Sequence, residues 1–148
     1  MYNFRGTYRY NLDSKGRINI PAKFRTKRDS DEPEEFVLSR GMDEAIILQP
    51  KERWEEIERK LDKTDLNKRK LRDFKRYLML DATEVVPDKQ GRVTISGNLL
   101  EYANIEKNVV IHGMISYIEI WRPELFDRKI EEIKNSFAEI AEDLQLEE

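Results

Sequence analysis

The segment Asp13-Ser14-Lys15-Gly16-Arg17-Ile18-Asn19-Ile20 returns as Asp88-Lys89-Gln90-Gly91-Arg92-Val93-Thr94-Ile95, 75 positions later in a chain of 148 residues. Asp, Gly, Arg and a pair of apolar residues keep their offsets in both copies. Self-similarity at a fixed spacing marks a duplicated unit. Units this short bury apolar surface poorly when alone, so two of them are expected to share one core, to oligomerise, or both. The chain therefore reads as a pseudo-symmetric pair.

Each unit has the same local grammar. Thr7 to Leu12 alternates β-formers and reads as a strand. Asp13-Ser14-Lys15-Gly16 is turn chemistry: an aspartate accepts hydrogen bonds from the backbone just ahead of it, and Gly16 tolerates positive φ. Arg17 to Ile20 alternates again, with Ile18 and Ile20 on one face and Arg17 and Asn19 on the other. Pro21 ends that strand and opens a short helix through Phe24. An acidic loop with Pro33 spans 29–35, and strands follow at Phe36–Leu38 and Ala45–Leu48. Pro50 starts a helix with Trp54, Ile57 and Leu61 on one face, and a basic helical stretch from about Leu66 to Leu80 bridges the units.

The second unit repeats the plan: a strand near Thr83–Val86, the turn Asp88–Gly91, a strand Arg92–Ile95, a short helix over Asn98–Ala103, and strands at Val109–Ile111 and Tyr117–Trp121. One long helix is expected from Pro123, where Phe126, Ile130, Ile133, Phe137, Ile140 and Leu144 make a heptad-like seam. Two partners for that seam stay open: the protein's own strands, or a neighbouring subunit or helix 51–61. The expected fold class is α+β with a mainly β core. Its parts are a first repeat at 7–50, a helical connector at 51–80, a second repeat at 83–123 and a C-terminal helix at 124–148.

Composition removes several classes. There is no cysteine, so neither disulfides nor thiolate zinc sites exist. No apolar run approaches the roughly 20 residues that span a membrane. Arg5, Arg9, Lys15 and Arg17 break any apolar signal core near the N-terminus, so an intracellular location is expected. The net charge of −3 hides an asymmetry. Residues 1–28 carry eight Lys/Arg against Asp13 alone, while residues 124–148 carry nine acids against Arg128, Lys129 and Lys134. A polyanion meets the local field, not the average, and here the N-terminal unit is strongly cationic.

These words carry a family likeness. Phe4-Arg5-Gly6-Thr7-Tyr8, Leu12-Asp13-Ser14-Lys15-Gly16-Arg17 and Ile20-Pro21-Ala22-Lys23-Phe24-Arg25 resemble the opening of the MraZ family. Leu80-Asp81-Ala82, Asp88-Lys89-Gln90-Gly91-Arg92 and Ile118-Glu119-Ile120-Trp121 resemble its second half. The likeness covers the chain to about residue 135. It implies tandem SpoVT/AbrB-like units that form a swapped-hairpin, pseudo-two-fold β-barrel. It also implies a cytoplasmic, nucleoid-associated homo-oligomer, ring-shaped, that binds short direct repeats of double-stranded DNA in its own promoter. Members of the family regulate the division and cell-wall gene cluster, usually as repressors.

The residues expected to meet DNA are Arg5, Arg9, Lys15, Arg17 and Lys23. Arg17 leads, because a guanidinium can fork onto a phosphate or a guanine edge. An internal pair with Asp13 is the competing role for it. Lys15 would act as a point charge on phosphate. Asp13, Gly16, Asp88, Gly91 and Arg92 are expected to be turn residues, since carboxylates repel DNA. The region 83–100 has no net charge, so the first repeat is expected to carry most of the contact.

Enzyme chemistry fits poorly. Two pseudo-symmetric aspartates invite comparison with a carboxylate dyad, but the neighbouring Lys15, Arg17 and Arg92 favour both charged forms and oppose a shared proton. His112 is the only histidine and is expected to be structural. No cofactor, metal, membrane or small-molecule substrate is implied. The competing reading is an oligomeric protein-interaction scaffold that uses the acidic C-terminal helix and no DNA.

Overall fold

The computed structural model describes residues 2–25, 31–63 and 67–146. Lys27, Arg28, the start of the acidic loop, the expected helix start at Leu66 and the last two acids lie outside the described residues. The first repeat supplies β1 (Thr7–Asn11), β2 (Arg17–Asn19), a 3-10 turn (Ala22–Phe24), β3 (Phe36–Arg40) and β4 (Ile46–Pro50). Two helices connect it onward, α1 (Lys51–Asp62) and α2 (Arg69–Met79). The second repeat supplies β5 (Thr83–Val85), β6 (Arg92–Thr94), α3 (Gly97–Tyr102), β7 (Asn108–Gly113) and β8 (Ile118–Trp121), and α4 (Pro123–Lys134) and α5 (Phe137–Asp143) follow.

The repeats exchange strands. The larger sheet runs β1-β7-β8-β4-β3-β5, and β2 pairs with β6 in a separate two-stranded ribbon. β1 of the first repeat is antiparallel to β7 of the second, with Tyr8 opposite Ile111, and β5 of the second pairs with β3 of the first, with Val37 opposite Glu84. Replacing every strand by its repeat mate reverses the sheet order onto itself. The pseudo-two-fold axis passes between Ile47 and Glu119 in the sheet and between Ile18 and Val93 in the ribbon. Each unit thus completes its neighbour's sheet, which is how two short units come to share one core.

That core lies between sheet and ribbon. Ile18, Ile20, Val93 and Ile95 pack with Leu38, Ile46, Leu48, Ile111, Ile118 and Ile120 in one buried cluster. Strand alternation puts these residues inward and sends Arg17, Asn19, Arg92 and Thr94 outward. Among the described residues β1 and β5 end the larger sheet, so no continuous ladder closes into the expected barrel. The break falls at the turns 13–16 and 88–91, where the chain leaves the sheet for the ribbon.

The sheet's other face carries helices. Val110 and Trp121 pack against Phe126 of α4, and Trp54 of α1 is likewise buried. Arg40 ties β3, α2 and α3 together. Its Nε and Nη2 donate to Asp81 Oδ2 at 2.9 and 2.6 Å, and its guanidinium lies 4.6 Å from the Tyr77 ring and 4.9 Å from that of Tyr102.

The single C-terminal helix expected from Pro123 is instead two. Ser136 N–H turns back to the Ile133 carbonyl at 3.1 Å, and its Oγ donates to the same oxygen at 3.3 Å. Asn135-Ser136 thereby offers the backbone a tighter local bond than the helical ladder, and α4 stops at Lys134. Of the heptad-like seam only Phe126 is buried on the protein's own strands, while Phe137 and Leu144 are 73% and 62% exposed.

Candidate nucleic-acid interface

Both Asp-x-x-Gly-Arg words fold into the same closed turn. Asp13 Oδ1 accepts the backbone N–H groups of Lys15 and Arg17, each at 2.9 Å, and Oδ2 accepts Arg17 Nε at 2.7 Å. Gly16 N–H donates to the Asp13 carbonyl at 3.1 Å, with φ of +74° at Gly16. The mate is near-identical. Asp88 Oδ1 accepts from Gln90 and Arg92 N–H, both at 2.9 Å, and Oδ2 from Arg92 Nε at 2.9 Å. Gly91 has φ of +79°. Backbone donors, that of Arg17 foremost, then the Arg17 side chain, hold the Asp13 carboxyl down to about 2, and the Arg92 backbone N–H leads the same downward shift at Asp88.

The turn therefore aims its arginine. Asp13 engages the Arg17 guanidinium through Nε alone, and among the described residues the Nη nitrogens of Arg17 have no hydrogen-bond partner. Arg17 and Arg92 share the outer ribbon face, and Arg92 Nη1 comes within 3.9 Å of Asp13 Oδ2. The pair with Asp13, one of the two roles weighed for Arg17, is formed. It holds the guanidinium in place without covering its fork. The two turns lie at opposite ends of the antiparallel ribbon, where Ile95 N–H donates to Gly16 O and Ile20 N–H to Gly91 O.

The other residues named from the sequence do not all gather here. Lys15 is exposed at the tip of the first turn. Lys23 is exposed on the 3-10 turn that follows Ile20 and so lies toward the second turn. Arg5 is exposed beside Phe4, which bridges to Ile115. Arg9 is not brought to the ribbon. Alternation along β1 turns it to the helical face, where its Nη2 meets Asp127 of α4 at 2.7 Å. His112 sits on that same face, its Nδ1 2.8 Å from Thr7 Oγ1 and its ring against Phe126. Two cations that the sequence reading passed over belong to the second turn: Lys89, exposed at its tip, and Arg25, which lies against Gly91. The repeat offset was the available signal, since it shows that Arg25 has no basic mate.

Fold and site together define a class: a duplicated α+β protein in which mated turns hold arginines at set positions on one two-stranded ribbon. Comparison with known proteins places it further. The model of the family described as "MraZ protein, putative antitoxin-like" matches residues 3–77 and again 78–148. The transcriptional regulator MraZ of Halothermothrix orenii is 40% identical over 138 residues, 93% of this chain and 94% of its own length. That of Natranaerobius thermophilus is 39% identical over 141 residues, 95% and 96% of the two lengths. That of a Thermoanaerobacter species is 41% identical over 139 residues, 94% of each. The chain belongs to the MraZ family.

Proposed function

We propose that this protein is a DNA-binding transcriptional regulator, a repressor of the division and cell-wall gene cluster. One observation carries the reading: two mated turns present Arg17 and Arg92 on the outer face of a single ribbon, each held through Nε by its own aspartate, and among the described residues the Nη groups of Arg17 have no partner. A two-stranded ribbon fits a major groove, and arginines placed in advance lose less entropy on meeting a phosphate or guanine. The names of the relatives support a regulator over an enzyme. On this reading residues 7–50 and 83–123 are SpoVT/AbrB-like repeats of a pseudo-two-fold barrel, joined by 51–80 and followed by 124–148. Arg17 and Lys15 contact DNA at the first turn, Lys23 adds a contact toward the second turn and Arg5 adds one near Phe4, and Asp13, Gly16, Asp88, Gly91 and Arg92 build the turns.

One ribbon makes few contacts, so useful affinity comes from several subunits on short direct repeats ahead of the protein's own gene. The exposed seam of Phe137, Ile140 and Leu144 supports a homo-oligomer, ring-shaped on the family likeness. Such a protein works in the cytoplasm, on the nucleoid. Among the described residues no helix is long and apolar enough to cross a membrane.

Footprinting on the region upstream of the gene tests the proposal. The expected result is protection of evenly spaced short repeats at nanomolar to micromolar protein, lost in Arg17→Ala and weakening steeply with salt. A protein that folds and assembles but protects nothing there would leave the scaffold reading in its place.

A further inference from the structure

β2 and β6 are antiparallel, so the residues that follow β2 arrive beside the turn of the other repeat. Ile20 N–H donates to the Gly91 carbonyl at 2.8 Å, and the buried Phe24 anchors the 3-10 turn that comes next. Arg25 follows at once. A Cβ built on Gly91 would stand 2.6 Å from Arg25 Cζ and 2.8 Å from both Nε and Nη1, so the guanidinium lies against the bare glycine. Arg25 Nε is shut off from solvent and has no hydrogen-bond partner. Among the described residues no carboxylate pairs with Arg25, whereas Arg9, Arg17, Arg40 and Arg92 each have one.

An unpaired, partly desolvated guanidinium held by packing is costly to keep unless a partner arrives from outside. The first turn has no counterpart. At the repeat offset the mate of Arg25 is Leu100 and the mate of Lys23 is Asn98. A Cβ on Gly16 would meet only the Ile95 carbonyl oxygen, at 3.5 Å. Among the described residues, beyond its Asp–Arg pair and the Nη1 of Arg92 at 3.9 Å from Asp13 Oδ2, the first turn has Lys15 at its tip, while the second has Lys89 at its tip and Arg25 against its glycine. Charge counted along the sequence assigned the contact to the first repeat; strand exchange moves cations to the second.

We infer that Arg25 is a phosphate-binding residue that the first repeat lends to the turn of the second, so that the second turn grips the nucleic-acid backbone more strongly than the first. The inference rests on the DNA-binding reading above and names a further contact for the same ribbon. Packing against Gly91, with Nε shut off from solvent, restricts the guanidinium, so less freedom is lost when a phosphate binds than for an arginine extended into water. Its donor fork matches a phosphate's oxygens.

The test is fluorescence anisotropy of a labelled duplex carrying direct repeats, titrated with the full chain at several salt concentrations, with thermal melts to verify folding. Arg25→Gln is expected to reduce the salt slope by about 0.9 per bound chain and to weaken binding about eightfold at roughly 0.1 M salt. Arg25→Lys should keep the slope, because it keeps the charge. Gly91→Ala, whose methyl displaces the Arg25 guanidinium, should flatten the slope by a similar amount, which serves if Arg25→Gln does not fold. An unchanged slope in Arg25→Gln, or in Gly91→Ala if that is the variant that folds, while Arg17→Ala still weakens binding, overturns the role of Arg25 and leaves the regulator reading standing. A parent protein that ignores duplex DNA overturns both.

Discussion

Alanine at the two mated glycines separates backbone strain from the placement of Arg25. Both glycines have positive φ, +74° at Gly16 and +79° at Gly91, where a Cβ costs about 1–2 kcal/mol. At Gly16 that is the whole effect, since the new methyl meets only the Ile95 carbonyl oxygen at 3.5 Å. At Gly91 the same methyl would stand 2.6 Å from Arg25 Cζ, and the guanidinium must leave. It is the end of a flexible side chain with no bonded partner, so its departure adds little to the strain. Gly16→Ala and Gly91→Ala should therefore lose similar stability, about 3–6 °C in melting temperature for a domain of this size. Their DNA binding should differ. Gly91→Ala loses the Arg25 contact, so its salt slope is the shallower by about 0.9 per chain. Thermal melts and anisotropy titrations on the same preparations read both quantities. A Gly91→Ala melt lying a further 10 °C below that of Gly16→Ala, with equal salt slopes, would refute the reasoning and make Arg25 a structural clamp.

Three other outcomes are expected. Arg40→Met strands the nearly buried Asp81 and removes two cation–π contacts, so it should cost about 2–4 kcal/mol, with much of that recovered in Arg40→Met/Asp81→Leu; a double-mutant cycle by chemical denaturation measures it, and additive losses would contradict it. Asp13 and Asp88 have carboxyls held below their unfolded value of 3.8, so the stability they add is present above that pH and is lost as pH falls through their lowered folded values, about 2 at Asp13. Melts of Asp13→Asn/Asp88→Asn should show a flatter acid limb than the parent, and parallel curves would count against the turn geometry. Phe126→Ala, at a site packed on Trp121 and His112, should cost about 3–4 kcal/mol, whereas Phe137→Ser should spare the fold and lower the solution mass of the assembly; an unaltered mass would remove the seam from the interface.

Features that depend on a few neighbouring residues were legible along the chain. Both turns, the alternation that buries Ile18 and Val93, and the proline-opened start of α4 all arise within about one turn of backbone, and the duplication shows as the same short segment repeated 75 positions on. The Asp13–Arg17 pair was weighed as one of two roles because aspartate and arginine lie four residues apart across a glycine. The end of α4 was not foreseen, although Asn135-Ser136 stands in plain view. Apolar periodicity runs straight through those residues, and only the competing hydrogen bonds reveal the stop.

What no local pattern carries is which strand meets which. The two halves are alike enough that β1 could satisfy its backbone on β3 of its own repeat or on β7 of the other, and the shared core selects the exchange. That choice sends Arg9 to Asp127, 118 positions away, and sets Arg25 over Gly91. Side-chain chemistry along the chain named which groups carry charge. Long-range strand pairing, driven by burial of apolar faces common to both repeats, determined which of those charges stand together.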